Sequence, residues 1–245
     1  MRIRLLLVLL VFVPLLGISQ SKNEKFLKKA ESAYSSGDYA KAFKYLEKFR
    51  KKVNKKFGTP NEYTPVYYIT YSKYNLASGM VLEFESNLQS AITSINTASE
   101  RTEKSYDLLI EGARLYNQNG SYLKARQLLE SVQNSLQVAG LLKDPIKAKL
   151  DVALAEALAG QGYYNQAIEI LKERQPYVQG RANKQETVVE NGALKSRKLS
   201  DEEYKARFSE YAHLLIILAK TLGDRGDYNE ADNLFKQNQQ SIRKS

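Results

Sequence analysis

A six-residue phrase returns four times along this chain and limits what it can fold into. It reads Gly-Asp-Tyr-Ala-Lys-Ala from Gly37, Gly-Ser-Tyr-Leu-Lys-Ala from Gly120, Gly-Tyr-Tyr-Asn-Gln-Ala from Gly162 and Gly-Asp-Tyr-Asn-Glu-Ala from Gly226. An aromatic residue (Tyr39, Tyr122, Tyr164, Tyr228) follows each glycine by two, and an alanine (Ala42, Ala125, Ala167, Ala231) follows by five. Each phrase lies between segments whose apolar residues recur at helical spacing. Phe26, Leu27, Ala30, Ala33 and Tyr34 precede Gly37; Ala42, Phe43, Leu46 and Phe49 follow it. Glycine lets the chain leave one helix, the aromatic packs into the hairpin, and alanine admits a second helix at close range.

This pattern resembles the tetratricopeptide repeat (TPR), a helix–turn–helix unit of about 34 residues. That unit carries small residues at its positions 8 and 20 and a large apolar one at 24. With each glycine at position 15, position 8 holds Ala30, Ala113, Ala155 and Ala219. Position 20 holds the four alanines of the phrases, and position 24 holds Leu46, Leu129, Leu171 and Phe235. The phrases stand 83, 42 and 64 residues apart, so the first gap calls for another unit. Gly79, Leu82, Ser86, Leu88, Ala91, Ile95 and Ala98 fit positions 8, 11, 15, 17, 20, 24 and 27, with Ser86 34 residues before Gly120. The resemblance therefore implies an all-α, right-handed superhelical solenoid of five repeats and about ten helices. It would form one domain over 20–245, interrupted by loops at 57–65, where Gly58, Pro60 and Pro65 break the helix, and at 176–199. Ser200-Asp201-Glu202-Glu203 then reads as a helix start, with Ser200 capping.

In such repeats the first helices line a concave groove, through positions 2, 5, 9 and 12. Positions 5 and 9 fall on Leu27 and Glu31, Leu76 and Met80, Ile110 and Arg114, Val152 and Glu156, Ile216 and Lys220. Glu31, Met80, Arg114, Glu156 and Lys220 are thus the candidate partner-binding residues, for a protein or extended peptide. Family members that clamp the acidic C-terminal peptide of chaperones place Lys and Asn here, and this chain does not. The apolar residues of the strip also fit core packing between repeats, and both readings stand.

Composition narrows the chemistry. The chain has no Cys, one His and 17 Tyr, which excludes disulfides, thiolate metal sites and a cysteine nucleophile. His213 lies beside the apolar run Leu214–Leu218 with Glu210 three residues away, and no nucleophile pattern accompanies it. No phosphate loop or metalloprotease motif is present. The expectation is no catalytic residue, no cofactor and no metal. Tyr63, Tyr67, Tyr68, Tyr71 and Tyr74 form a dense patch that suits packing, an interface or sugar stacking.

Residues 1–19 carry Arg2 and Arg4, an apolar run from Leu5 to Ile18, and small residues near Ser19. These are the three regions of a cleavable signal peptide, and the run is too short to span a bilayer. Without a cysteine after the cleavage point, lipid anchoring is excluded. The chain carries a net +10, which falls to +8 without Arg2 and Arg4. For an exported protein, that charge argues against nucleic acid and admits peripheral contact with an anionic membrane surface. The basic clusters are Lys48, Arg50, Lys51, Lys52, Lys55 and Lys56, then Lys195, Arg197 and Lys198. The combined expectation is a non-enzymatic adaptor of the periplasm or cell envelope. The alternatives are a glycan-binding module, or a sensory module acting in trans with a signalling protein.

Overall fold

The computed structural model describes residues 24–98, 101–190 and 193–243. The segment read as a signal peptide lies outside them. Ten α-helices and one β-hairpin stand among the described residues, and the chain divides at Gly162 into two compact units. The first unit contains α1 (Glu24–Ser35), α2 (Tyr39–Phe57), α3 (Thr64–Ala77), α4 (Val81–Asn96), α5 (Glu103–Gln118), α6 (Tyr122–Val138) and α7 (Asp144–Gly160). The second contains α8 (Tyr164–Arg181), β1 (Gln185–Glu190), β2 (Ala193–Lys198), α9 (Asp201–Arg225) and α10 (Tyr228–Arg243).

The helical turns are made by glycines in the left-handed region. Gly37, Gly79, Gly120, Gly162 and Gly226 all have φ between +77° and +100°, where any side chain is strained. After four of them the next residue's amide reaches back five residues: Asp38 to Ala33, Met80 to Asn75, Ser121 to Tyr116 and Asp227 to Leu222, at 2.8–2.9 Å. These are the closing bonds of Schellman caps, and they satisfy carbonyls that the helix ends leave open.

The core of the first unit rests on the small residues legible in the sequence. Ala30, Ala42, Ala113, Ala125 and Ala155 are fully buried, as are Leu46 and Leu129 at position 24. α1, α2 and α3 share one cluster built on Leu46, Phe49 and Tyr74; α3 to α7 share another built on Phe84, Leu88, Ile110 and Leu129. Gly160, at the end of α7, shows how tight the fit is. A Cβ there would sit 2.4 Å from the Tyr122 ring, so only glycine lets that aromatic lie flat on the helix.

The second repeat is set differently from the expectation. Its turn is at Gly79, and Ser86 lies inside α4. The turn glycines consequently stand 42, 41, 42 and 64 residues apart, and second helices of 16–19 residues account for the added length. Ser72 and Phe84, both fully buried, take positions 8 and 20. A serine and a phenylalanine stand where the other repeats carry alanine, so this repeat lacks the signature that marks them. Met80 moves accordingly: it is the residue before α4, in the turn, and not on the face of a first helix.

The segment from Pro176 to Leu199 is also more ordered than a loop. α8 continues through Pro176 to Arg181, because Val178 is buried beyond the proline and the packing stripe extends past it. β1 and β2 then pair antiparallel, with Glu186 opposite Arg197. Arg207 of α9 also binds Glu186, and Glu203 accepts from Arg197 at 3.0 Å, which ties the hairpin to the helix that follows. Ser200 caps α9 as expected: its Oγ accepts from the Glu203 amide at 3.2 Å, and the Glu203 carboxylate accepts from the Ser200 amide at 3.0 Å. This capping box holds the Glu203 carboxyl down to about 2, with Arg197 assisting. In the second unit α8 and α10 pack on α9, around Ala167, Leu171, Leu214, Leu218 and Ala219. Phe235, at position 24 of the last repeat, remains 52% exposed.

Candidate functional site

Within the first unit the first helices α1, α3, α5 and α7 lie side by side and share a face. The position-5 residues Leu27, Ile69, Ile110 and Val152 are buried beneath it. The apolar strip therefore belongs to the core, and position 9 sets the character of the surface. That position reads Glu31, Lys73, Arg114 and Glu156, two cations between two anions. Lys73 replaces Met80 once the turn is placed at Gly79. Lys220 is on α9 in the second unit, and its side chain is exposed.

Polar bonds join this face from helix to helix. Lys149 donates to Asp107 at 2.9 Å, from α7 to α5. The Asn117 amide donates to the Ala153 carbonyl at 2.9 Å and to Glu156 at 3.2 Å. At the other end Tyr34 stacks on Tyr74 at 4.7 Å, and the Lys73 ammonium lies over the Tyr34 ring at 5.4 Å. Burial pushes the Glu31 carboxyl above the usual range, and Lys73 and Lys28 offset only part of that.

Arg114 is the least satisfied charged group here. Its side chain is 11% exposed, and its only carboxylate contact among the described residues is Glu111, at 4.0 Å. Arg114 Nε and Glu111 Oε2 are buried with no hydrogen-bond partner, and so is Asn117 Oδ1. A guanidinium held in this state keeps a directional donor unmatched inside the fold.

The tyrosine patch is used internally. Tyr67 and Tyr74 are buried, and Phe43 packs against Tyr71 at 5.0 Å and Tyr74 at 5.9 Å. The Tyr67 hydroxyl donates to Glu47, which also accepts from Arg50 at 2.8 Å. Burial and that carboxylate raise the Tyr67 hydroxyl well above its ordinary range. Glu210, the sequence candidate for orienting His213, accepts from Arg181 at 3.3 Å.

The basic cluster of α2 separates into two sets. Arg50 binds Glu47, Lys52 lies over Phe26 at 5.4 Å, and Lys56 lies over Phe57 at 4.6 Å. Lys48, Lys51 and Lys55 point outward with Lys41 and Lys44, opposite the buried stripe Ala42, Leu46, Phe49 and Val53. The structure thus shows a lysine ridge where the sequence offered only a cluster. The signal is present as lysines at intervals of three and four from Lys41.

No family model matches the sequence, and no curated protein matches it. Its fold is similar to solved helical-repeat proteins. One is a point variant of a Podosopora anserina protein assigned as a kinesin light chain, with nearly identical TPR-like repeats. It is 17% identical at a TM-score of 0.62, over 93% of this chain and all of that one. Another crystal structure of that repeat protein is 19% identical at a TM-score of 0.58, over 89% of this chain and 95% of the other. The fold is accordingly that of a TPR-like, all-α helical-repeat protein. Among the described residues no helix is long and apolar enough to cross a membrane.

Proposed function

We propose that this chain is a non-enzymatic adaptor that binds an extended segment of a partner protein on the face of α1, α3, α5 and α7. The observation that carries the reading is Arg114, a nearly buried guanidinium with Nε open, next to Asn117 with Oδ1 open. Buried donors and acceptors are normally matched in a folded protein, and a bound ligand would supply the missing bonds here. The row of Glu31, Lys73, Arg114 and Glu156 calls for a segment with acidic groups at its middle and basic groups at its ends. TPR-like folds present such faces, and the N-terminal sequence supports export, which makes the cell envelope the place of action. Burial of Tyr67 and Tyr74 weighs against the glycan-binding alternative.

Affinity capture from the native envelope tests this, with the chain carrying Arg114→Glu and, separately, Lys220→Glu. A stoichiometric partner should be lost with Arg114→Glu by about tenfold or more and retained with Lys220→Glu. Capture that survives Arg114→Glu unchanged, in protein of unaltered thermal stability, contradicts the assignment.

A further inference from the structure

The outer side of α2 carries a feature that partner binding on the first helices does not use. Lys41, Lys44, Lys48, Lys51 and Lys55 all project to solvent along one ridge, spanning ~21 Å of helix at 1.5 Å per residue. None of the five forms an ion pair among the described residues. Charge is concentrated here to an unusual degree. Residues 24–57 hold eleven Lys and Arg against four acids, +7 of the chain's +10, whereas residues 58–161 hold nine against eleven. The neighbouring second helix, α4, has no basic residue.

We infer that this ridge docks the protein onto an anionic phospholipid surface. Lysine is a compact point charge on a flexible stem, suited to a delocalised field of headgroup phosphates, and no arginine stands on the ridge to grip one phosphate in a fixed fork. Lys29 and Lys48 each lie 5.6 Å from the centroid of the same Tyr45 ring. Nucleic acid is the poorer fit, because single strands are held by stacking bases on open rings. Two of the nearby rings are already occupied: Tyr45 by those two lysines and Phe26 by Lys52. The buried stripe of α2 faces its neighbours, so the ridge can meet a flat surface while the first helices stay available.

Vesicle co-sedimentation of the full chain tests the inference, using roughly 30% phosphatidylglycerol in phosphatidylcholine and phosphatidylcholine alone. The second vesicle measures whatever the apolar run at Leu5–Ile18 contributes. Changing Lys41, Lys44, Lys48, Lys51 and Lys55 to Gln should lower partitioning onto the anionic vesicle by about tenfold or more. The same change at Lys143, Lys195, Lys198, Lys205 and Lys220 should lower it by less than about threefold. Raising salt should release the wild type. Equal loss from both variants, no preference for the anionic vesicle, or tighter binding to an oligonucleotide at equal phosphate concentration would overturn it.

Discussion

Glu31 shows what a half-buried charge costs this fold. Its carboxyl is raised by desolvation, with Lys73 and Lys28 opposing. Between the ordinary carboxylate pKa and the raised one, the native state binds more protons than the unfolded chain. Stability therefore falls as pH rises through that window, and the full penalty is present above it. Glu31→Gln should raise the urea midpoint at pH 7, and the gain should vanish at about pH 3, where the glutamate is protonated in both states. A Gln variant less stable than wild type at pH 7 would mean that the Lys73 attraction outweighs desolvation. The same residue-scale logic applies to Arg114, whose burial without a full partner is tolerable where binding supplies the missing acceptor.

The register of the second repeat is decided at the level of the helix. Gly79 ends the first of its two helices at φ +78°, and Ser86 sits in the exposed middle of the next. Gly79→Ala should therefore destabilise by about 1 kcal/mol, the cost of a side chain in the left-handed region. Ser86→Ala should be neutral or stabilising by a few tenths of a kcal/mol, as helix propensity dictates. Urea titrations of the two variants measure this, and the reverse ranking would return the turn to Ser86. Four repeats are legible in the sequence because Ala30, Ala42 and their counterparts are small wherever two helices touch. The other is obscured because Ser72 and Phe84 solve the same packing problem with different volumes. Met80 stands in the place of Lys73 under the sequence register for that reason alone. The β-hairpin has one sequence signal, Asn191-Gly192 between its two runs, and it is easily missed because the strands, held by the Glu186–Arg197 pair and by Arg207, carry little apolar periodicity.

At the scale of the whole chain, local regularity and functional asymmetry are written differently. Alanine, glycine and aromatic spacing recur because every repeat must close the same way, so the fold is readable from them. The ligand-facing positions do not recur: Glu31, Lys73, Arg114 and Glu156 differ from helix to helix, and their meaning depends on which of them the packing leaves unsatisfied. Of the expected face, Glu31, Arg114 and Glu156 stand together on the first unit, while Lys220 belongs to the second. The most direct measurement is site-specific photo-crosslinking in the native envelope, with the reactive residue placed at Lys73 on α3 or at exposed Ser131 on α6. A discrete adduct with one partner protein from position 73, and none from position 131, is the predicted result. An adduct from position 131 without one from position 73 would contradict the claim that the first helices carry the binding face.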